Sequence, residues 1–139
     1  MLLVSCTTPG NQFLVNDLPG GQVEHLGYKY ELAGINISLG QVSLIVTNLT
    51  QEPLKFNQTE FMLVDMNGKQ NYALDAMERM FECARSGGIC FASNEEMPGV
   101  IPPLEHAKKM LRFRDRPMNL PFTLFRNEKR VMEITRKPE

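Results

Sequence analysis

From Tyr28 onward the chain keeps a period of two, and no other feature limits its fold as strongly. Tyr28, Tyr30 and Leu32 alternate with Lys29 and Glu31; Ile35, Ile37 and Leu39 alternate with Asn36 and Ser38; Val42, Leu44 and Val46 alternate with Ser43, Ile45 and Thr47. Successive side chains on a strand point to opposite faces, so each set marks a strand with one buried face. Turn residues interrupt the pattern at short intervals. Residues 48–53 read as a turn and 54–56 as a short strand. Residues 61–65 then lead into Met66-Asn67-Gly68-Lys69, and 70–73 return. Asn67-Gly68 suits the positive φ values of a tight hairpin turn. After Pro98, Pro102 and Pro103 the strands resume. Leu111 and Phe113 alternate with Met110, Arg112 and Arg114, residues 122–125 form a strand, Asn127-Glu128 turns, and 131–135 close the domain. Seven to nine short strands with closely spaced turns predict an all-β antiparallel sandwich.

One stretch departs from that period. Leu74, Met77, Met80 or Phe81, and Ala84 recur at helical spacing behind Asp75, a residue suited to cap a helix. The expectation is a short inserted helix that plugs one open end of the β-fold. The functional alternative is a methionine-rich docking surface.

Composition bounds the rest. A chain of 139 residues, 42% hydrophobic with a net charge of −1, suits one domain with a core of its own and is too apolar to be disordered. No run approaches the ~18 apolar residues of a membrane-spanning helix. The near-zero total conceals two poles: residues 1–104 carry a net −6 and residues 105–139 a net +5. Poles of this kind steer a partner or complement each other inside the fold. Lys108, Lys109, Arg112, Arg114 and Arg116 form the densest basic run and are the candidate partner-binding residues. Single-stranded nucleic acid is a poor partner for them, because aromatic side chains do not interleave with the charge on the exposed face.

Of the three cysteines, Cys83 and Cys90 flank Ala84-Arg85-Ser86-Gly87-Gly88-Ile89. The two glycines let that segment curl back, which makes a small-loop disulfide sterically easy; in a reducing compartment the pair would be two thiols. A zinc site lacks its other half, and no metal or other cofactor is expected. Cys6 is left over. Leu3-Val4-Ser5-Cys6 resembles the cleavage site of bacterial lipoprotein precursors, and Thr7-Thr8-Pro9-Gly10-Asn11-Gln12 resembles their flexible tether. The resemblance implies lipidation of Cys6, and Thr7 in place of Asp implies sorting to the outer membrane. Met1–Val4 is shorter than the ~7–15 apolar residues of a signal peptide, so the reading expects the start to lie inside a longer signal sequence. Residues 1–27, rich in Pro and Gly, are read as a tether with one short strand near 13–15, and 28–139 as the domain.

Two further segments point to a family. Residues 42–54, a strand followed by Asn48, a small polar turn and Pro53-Leu54, resemble a segment of bacterial immunoglobulin-like lipoprotein domains. Phe61-Met62-Leu63-Val64-Asp65 with Asn67-Gly68-Lys69 resembles the F-x-L-x-D-x-N-G-K hairpin of the same group, and Ile101-Pro102-Pro103-Leu104-Glu105 stands where its L-x-P-G-E turn falls. Pro103 replaces the usual Gly, and the helix with its cysteine loop looks like an insertion. The resemblance implies an immunoglobulin-like β-sandwich in the periplasm rather than a reaction.

Catalytic patterns are absent from the sequence. His25 falls in the expected tether and His106 at the mouth of a strand, each read as a solvated surface histidine; no metalloprotease, nucleophile-elbow or phosphate-loop motif occurs, and Glu95-Glu96 is a carboxylate pair in a loop. Asn36, Asn48 and Asn57 each begin an N-x-S/T triplet, read as chance in an Asn/Thr-rich β-protein. The expectation is a non-catalytic envelope lipoprotein that binds a protein partner or serves an assembly such as a secretion complex. The alternative is a soluble anion- or nucleic-acid-binding β-domain using the basic C-terminal strands.

Overall fold

The computed structural model describes residues 8–16, 22–25, 27–85, 87–88 and 93–136. Among them are twelve strands: β1 (Thr8–Pro9), β2 (Phe13–Asn16), β3 (Gln22–His25), β4 (Tyr28–Asn36), β5 (Gln41–Asn48), β6 (Leu54–Phe56), β7 (Phe61–Asp65), β8 (Gln70–Tyr72), β9 (Gly99–Ile101), β10 (His106–Arg112), β11 (Phe122–Arg126) and β12 (Lys129–Arg136). One helix, α1 (Ala76–Arg85), follows β8.

The strands form two antiparallel five-stranded sheets and a two-stranded ribbon. The first sheet runs β1-β4-β5-β10, with β3 also on β4; the second runs β2-β12-β11-β7-β8; β6 pairs with β9. The period of two does what it predicts at 28–32 and 42–46, but the 35–39 set is no strand of its own: β4 ends at Asn36, which is buried and whose side chain turns the chain at 37–40, leaving Leu39 exposed. Tyr28, Tyr30 and Leu32 of β4, Val42, Leu44 and Val46 of β5, and Leu111 of β10 turn toward Phe61, Leu63, Phe122, Leu124, Met132 and Ile134 of the second sheet. The rings of Tyr30 and Phe61 meet edge to face at 6.0 Å across the sandwich, a geometry that complements ring face and ring edge. The architecture is an all-β sandwich.

The domain begins earlier than the sequence suggests. Residues 8–9, 13–16 and 22–25, within the stretch read as a tether, are strands: β1 pairs with β4, β3 with β4, and β2 with β12. Phe13 is buried in the core. Gly10 packs so closely on the backbone of Leu32 that a Cβ would fall 2.0 Å from its carbonyl oxygen, which excludes any side chain there. Strands of two to four residues broken by Pro and Gly are too short to display a period.

Three turns share one device. Asn36 Oδ1 accepts from Ser38 Oγ and Leu39 N, Asn48 Oδ1 from Thr50 N and Oγ1, and Asn57 Oδ1 from Thr59 N and Oγ1. At Asn48 and Asn57 the side chain thus closes an Asx turn onto the residue two on, and at Asn36 it reaches the residue three on. Asn48 is fully buried and also donates to the carbonyls of Glu52 and Ile101, so it ties the 48–52 turn to β9. In the β7–β8 hairpin only Gly68 takes a positive φ; the Asp65 side chain closes the loop by accepting from Asn67 N and Lys69 N.

Candidate functional site

Helix α1 starts with a capping box. Glu78 N donates to Asp75 Oδ1 at 2.7 Å, and Glu78 Oε1 accepts from Asp75 N at 3.4 Å, satisfying donors that a helix start otherwise leaves open. The cap fixes the rotation of the helix. Glu78, Arg79, Glu82 and Cys83 share one face by their spacing of three and four, and Met77, Met80, Phe81 and Ala84 share the other.

The charged face is the one turned to the sandwich. Arg79 Nε lies 2.9 Å from Glu96 Oε2, Glu78 accepts from Arg114 at 3.2 Å, and Glu82 from Arg116 at 3.4 Å. The apolar face points away: Met77 is 61% and Phe81 59% exposed, and no residue of α1 is buried. This corrects the expectation that the helix plugs an open end of the fold. Its inward side meets the arginine-rich stretch 112–116, so ion pairs rather than apolar packing hold it. Leu74, just before the cap, is buried.

Loop 93–97 supplies the opposing carboxylates. Gln58 Nε2 donates to the carbonyls of Glu95 and Met97, and Lys109 Nζ donates to the carbonyl of Met97 at 3.2 Å. So pinned, the loop directs Glu95 toward Lys108 at 3.6 Å and Glu96 toward Arg79 and Arg112. Glu96 Oε2 has both Nε atoms near it, Arg112's at 3.8 Å, yet none of the three atoms gains an aligned hydrogen bond. The contacts are electrostatic.

The five basic candidates thus occupy different places. Arg114 and Arg116 are exposed and paired with the helix, Lys108 is exposed beside Glu95, and Arg112 is largely covered by Glu96 and α1. Lys109 does not belong to the exposed face. It is 8% exposed and lies over the Phe56 ring at 5.8 Å. Burial pushes its ammonium pKa down, with Glu95 acting weakly the other way. Arg112 is pushed down as well, first by burial and then by the like charge of Arg79, with Glu96 opposing and Arg116 and Glu82 acting more weakly in opposite directions. Arg79, Glu82, Cys83, Arg112 and Arg116 line one cleft of about 150 Å³ between α1 and β10. Sequence reading missed Arg79 and Glu82, although their i, i+3 spacing carried the signal of a shared face, and it set Glu96 aside as one of a loop pair of carboxylates.

A second arginine centre lies in the core. Arg126 donates to Glu60 Oε2 and to the Tyr30 hydroxyl, each at 2.9 Å, and its guanidinium stacks over the Tyr28 ring at 4.5 Å. Burial works against its charge, but Tyr30 and Glu60 outweigh it and raise its pKa; burial likewise raises Tyr30 to about 12. His106 is exposed at the start of β10. Cys6 and Cys90 lie outside the described residues. No cluster of three or more metal-ligating side chains occurs among the described residues.

No family model matches the chain, and no curated protein matches it. Among solved structures, the crystal structure of the yjhA protein from Bacillus subtilis is similar with a TM-score of 0.53 and 13% identity, covering 86% of this chain and 97% of that one. At that identity the likeness is one of fold.

Proposed function

We propose that the protein is a non-catalytic binding module of a bacterial envelope, anchored through lipid on Cys6, that docks a protein partner on the outward face of α1. The observation that carries this reading is the inverted helix. Exposing Met77 and Phe81 while charge faces inward costs hydrophobic burial, and an exposed apolar stripe with a polar rim is characteristic of interaction sites. Methionine side chains adapt to the surface they meet. The partner that fits presents an apolar recess to Met77, Met80 and Phe81.

The anchor rests on the lipobox-like Leu3-Val4-Ser5-Cys6, and the first strand says which part of the sheet it would hold. Thr8, two residues after Cys6, is in register with Ile35, Ile35 with Val42, and Val42 with Leu111. At about 4.8 Å between strands, a lipid on Cys6 would hold the sheet row that ends at Leu111, next to Arg112, close to a membrane. The periplasmic, immunoglobulin-like lipoprotein reading also includes a Cys83–Cys90 disulfide. A turn at positive-φ Gly87 supports it, closed by Gly87 N to Ala84 O and Gly88 N to Cys83 O, which folds the chain back after the helix.

The test uses the full gene with its upstream codons in bacterial cells. A photo-crosslinking residue at Met77 or Phe81 should give one discrete adduct that the same residue at exposed Met66 does not, and Phe81→Glu should abolish the Met77 adduct. The membrane-fraction protein should carry an acylated Cys6 N-terminus by intact mass. Identical adduct patterns from 77, 81 and 66, or a soluble unmodified chain, would overturn the docking and the anchoring parts respectively.

A further inference from the structure

We infer that the cleft between α1 and β10 is a binding site for a small oxyanion of phosphate's size. Three guanidiniums, Arg79, Arg112 and Arg116, line it with one carboxylate, Glu82, and Glu96 lies beside two of them. Glu82 pairs with Arg116 at 3.4 Å and also favours the charge on Arg112. Glu96 Oε2 stands between Arg79 and Arg112 at 2.9 and 3.8 Å, and neither Nε, nor that oxygen, makes an aligned hydrogen bond. Buried donors without acceptors are rare and costly in folded proteins. A tetrahedral oxyanion offers acceptors in several directions at once and pairs with guanidinium forks with charge-assisted hydrogen bonds, which one carboxylate oxygen shared by two arginines does not achieve.

The electrostatics agree with the geometry. Beyond burial, Arg79 works hardest against the charge on Arg112 and Arg116 adds to it, so that Glu96 and Glu82 do not restore its ordinary value. An added anion offsets those like charges. The cleft is open to solvent on one side of the helix, and about 150 Å³ holds several waters and hence an ion of this size. The Arg126 centre, with three arginine contacts already satisfied in the core, offers no such vacancy of acceptors. This site does not depend on the lipid anchor or on a protein partner.

The probe is inorganic phosphate titrated at constant ionic strength against the full chain, read by calorimetry and by the shift in thermal midpoint. Arg116→Gln, an exposed position whose loss the fold tolerates, should weaken phosphate about tenfold, the equivalent of one charge-assisted contact. Glu96→Gln should do the opposite, tightening phosphate about tenfold because it releases two guanidiniums from an internal competitor. Arg130→Gln, elsewhere on the surface, should change nothing. A parallel arm with phosphatidylglycerol vesicles separates the sources: cosedimentation that phosphate competes away identifies a lipid headgroup, and phosphate binding without cosedimentation identifies a free oxyanion. Absence of saturable phosphate binding in both the native chain and Glu96→Gln would overturn the proposal. So would binding that Arg116→Gln and Glu96→Gln leave unchanged.

Discussion

Arg126 and Arg112 are both guanidiniums largely withdrawn from water, yet burial leaves them with opposite proton affinities. Arg126 sits between the sheets with a carboxylate, a hydroxyl and an aromatic face around it, and its pKa rises. Arg112 sits on the outside of the first sheet, beneath α1, beside two other arginines, and its pKa falls. The difference lies in the supply of acceptors rather than in depth. A buried charge with every donor satisfied locks a core, whereas one left short of aligned acceptors is held at a cost.

The largest effect should come from breaking the closed centre. Arg126→Met leaves the Glu60 carboxylate and the Tyr30 hydroxyl without their partner and should cost about 3–5 kcal/mol in urea unfolding. The matched change Arg112→Met should cost about 1 kcal/mol or less, because Glu96 keeps Arg79 and the like-charge crowding is relieved. Equal losses would erase the distinction between the two centres.

Alkali should sharpen it. The folded-state value of Tyr30, about 12 against 10 unfolded, means that the unfolded chain releases its proton first. Stability is therefore full below pH 10 and falls as pH rises toward 12, by on the order of 2 kcal/mol; in Tyr30→Phe this part of the slope should vanish. Lys109 contributes the reverse. Its folded value is depressed, so stability rises with pH between that value and 10.5, and Lys109→Met should remove the rise. The smallest change should be Arg114→Gln, which loses a half-exposed pair with Glu78 and should cost about 0.5 kcal/mol or less in the same unfolding assay.

How far the sequence could be read varies with how local each cause is. Alternation alone identified β4, β5, β7, β10 and the inward faces of Leu111 and Phe113. It also contained the placement of Lys109, which shares their parity; grouping it with Lys108 and Arg112 by charge obscured that. The Asx turns were written in the triplets beginning at Asn48 and Asn57. By contrast, nothing near Glu60 announces Arg126, 66 residues on. The amphipathic pattern of α1 was visible, but which face it would bury depended on arginines at 112–116, some 30 positions away. A hydrophobic stripe turns inward by default, and here the partner surface was charged.

That inversion is tested most directly by hydrogen exchange of α1 amides at low and high salt. If ion pairs hold the helix, amides of residues 80–85 should lose protection by about tenfold between 0.05 M and 1 M sodium chloride, as the screening length shrinks to about 3 Å. Amides of β5 and β11 should not change. Helix protection that stays constant across that range would show that apolar packing holds α1 and would contradict the account.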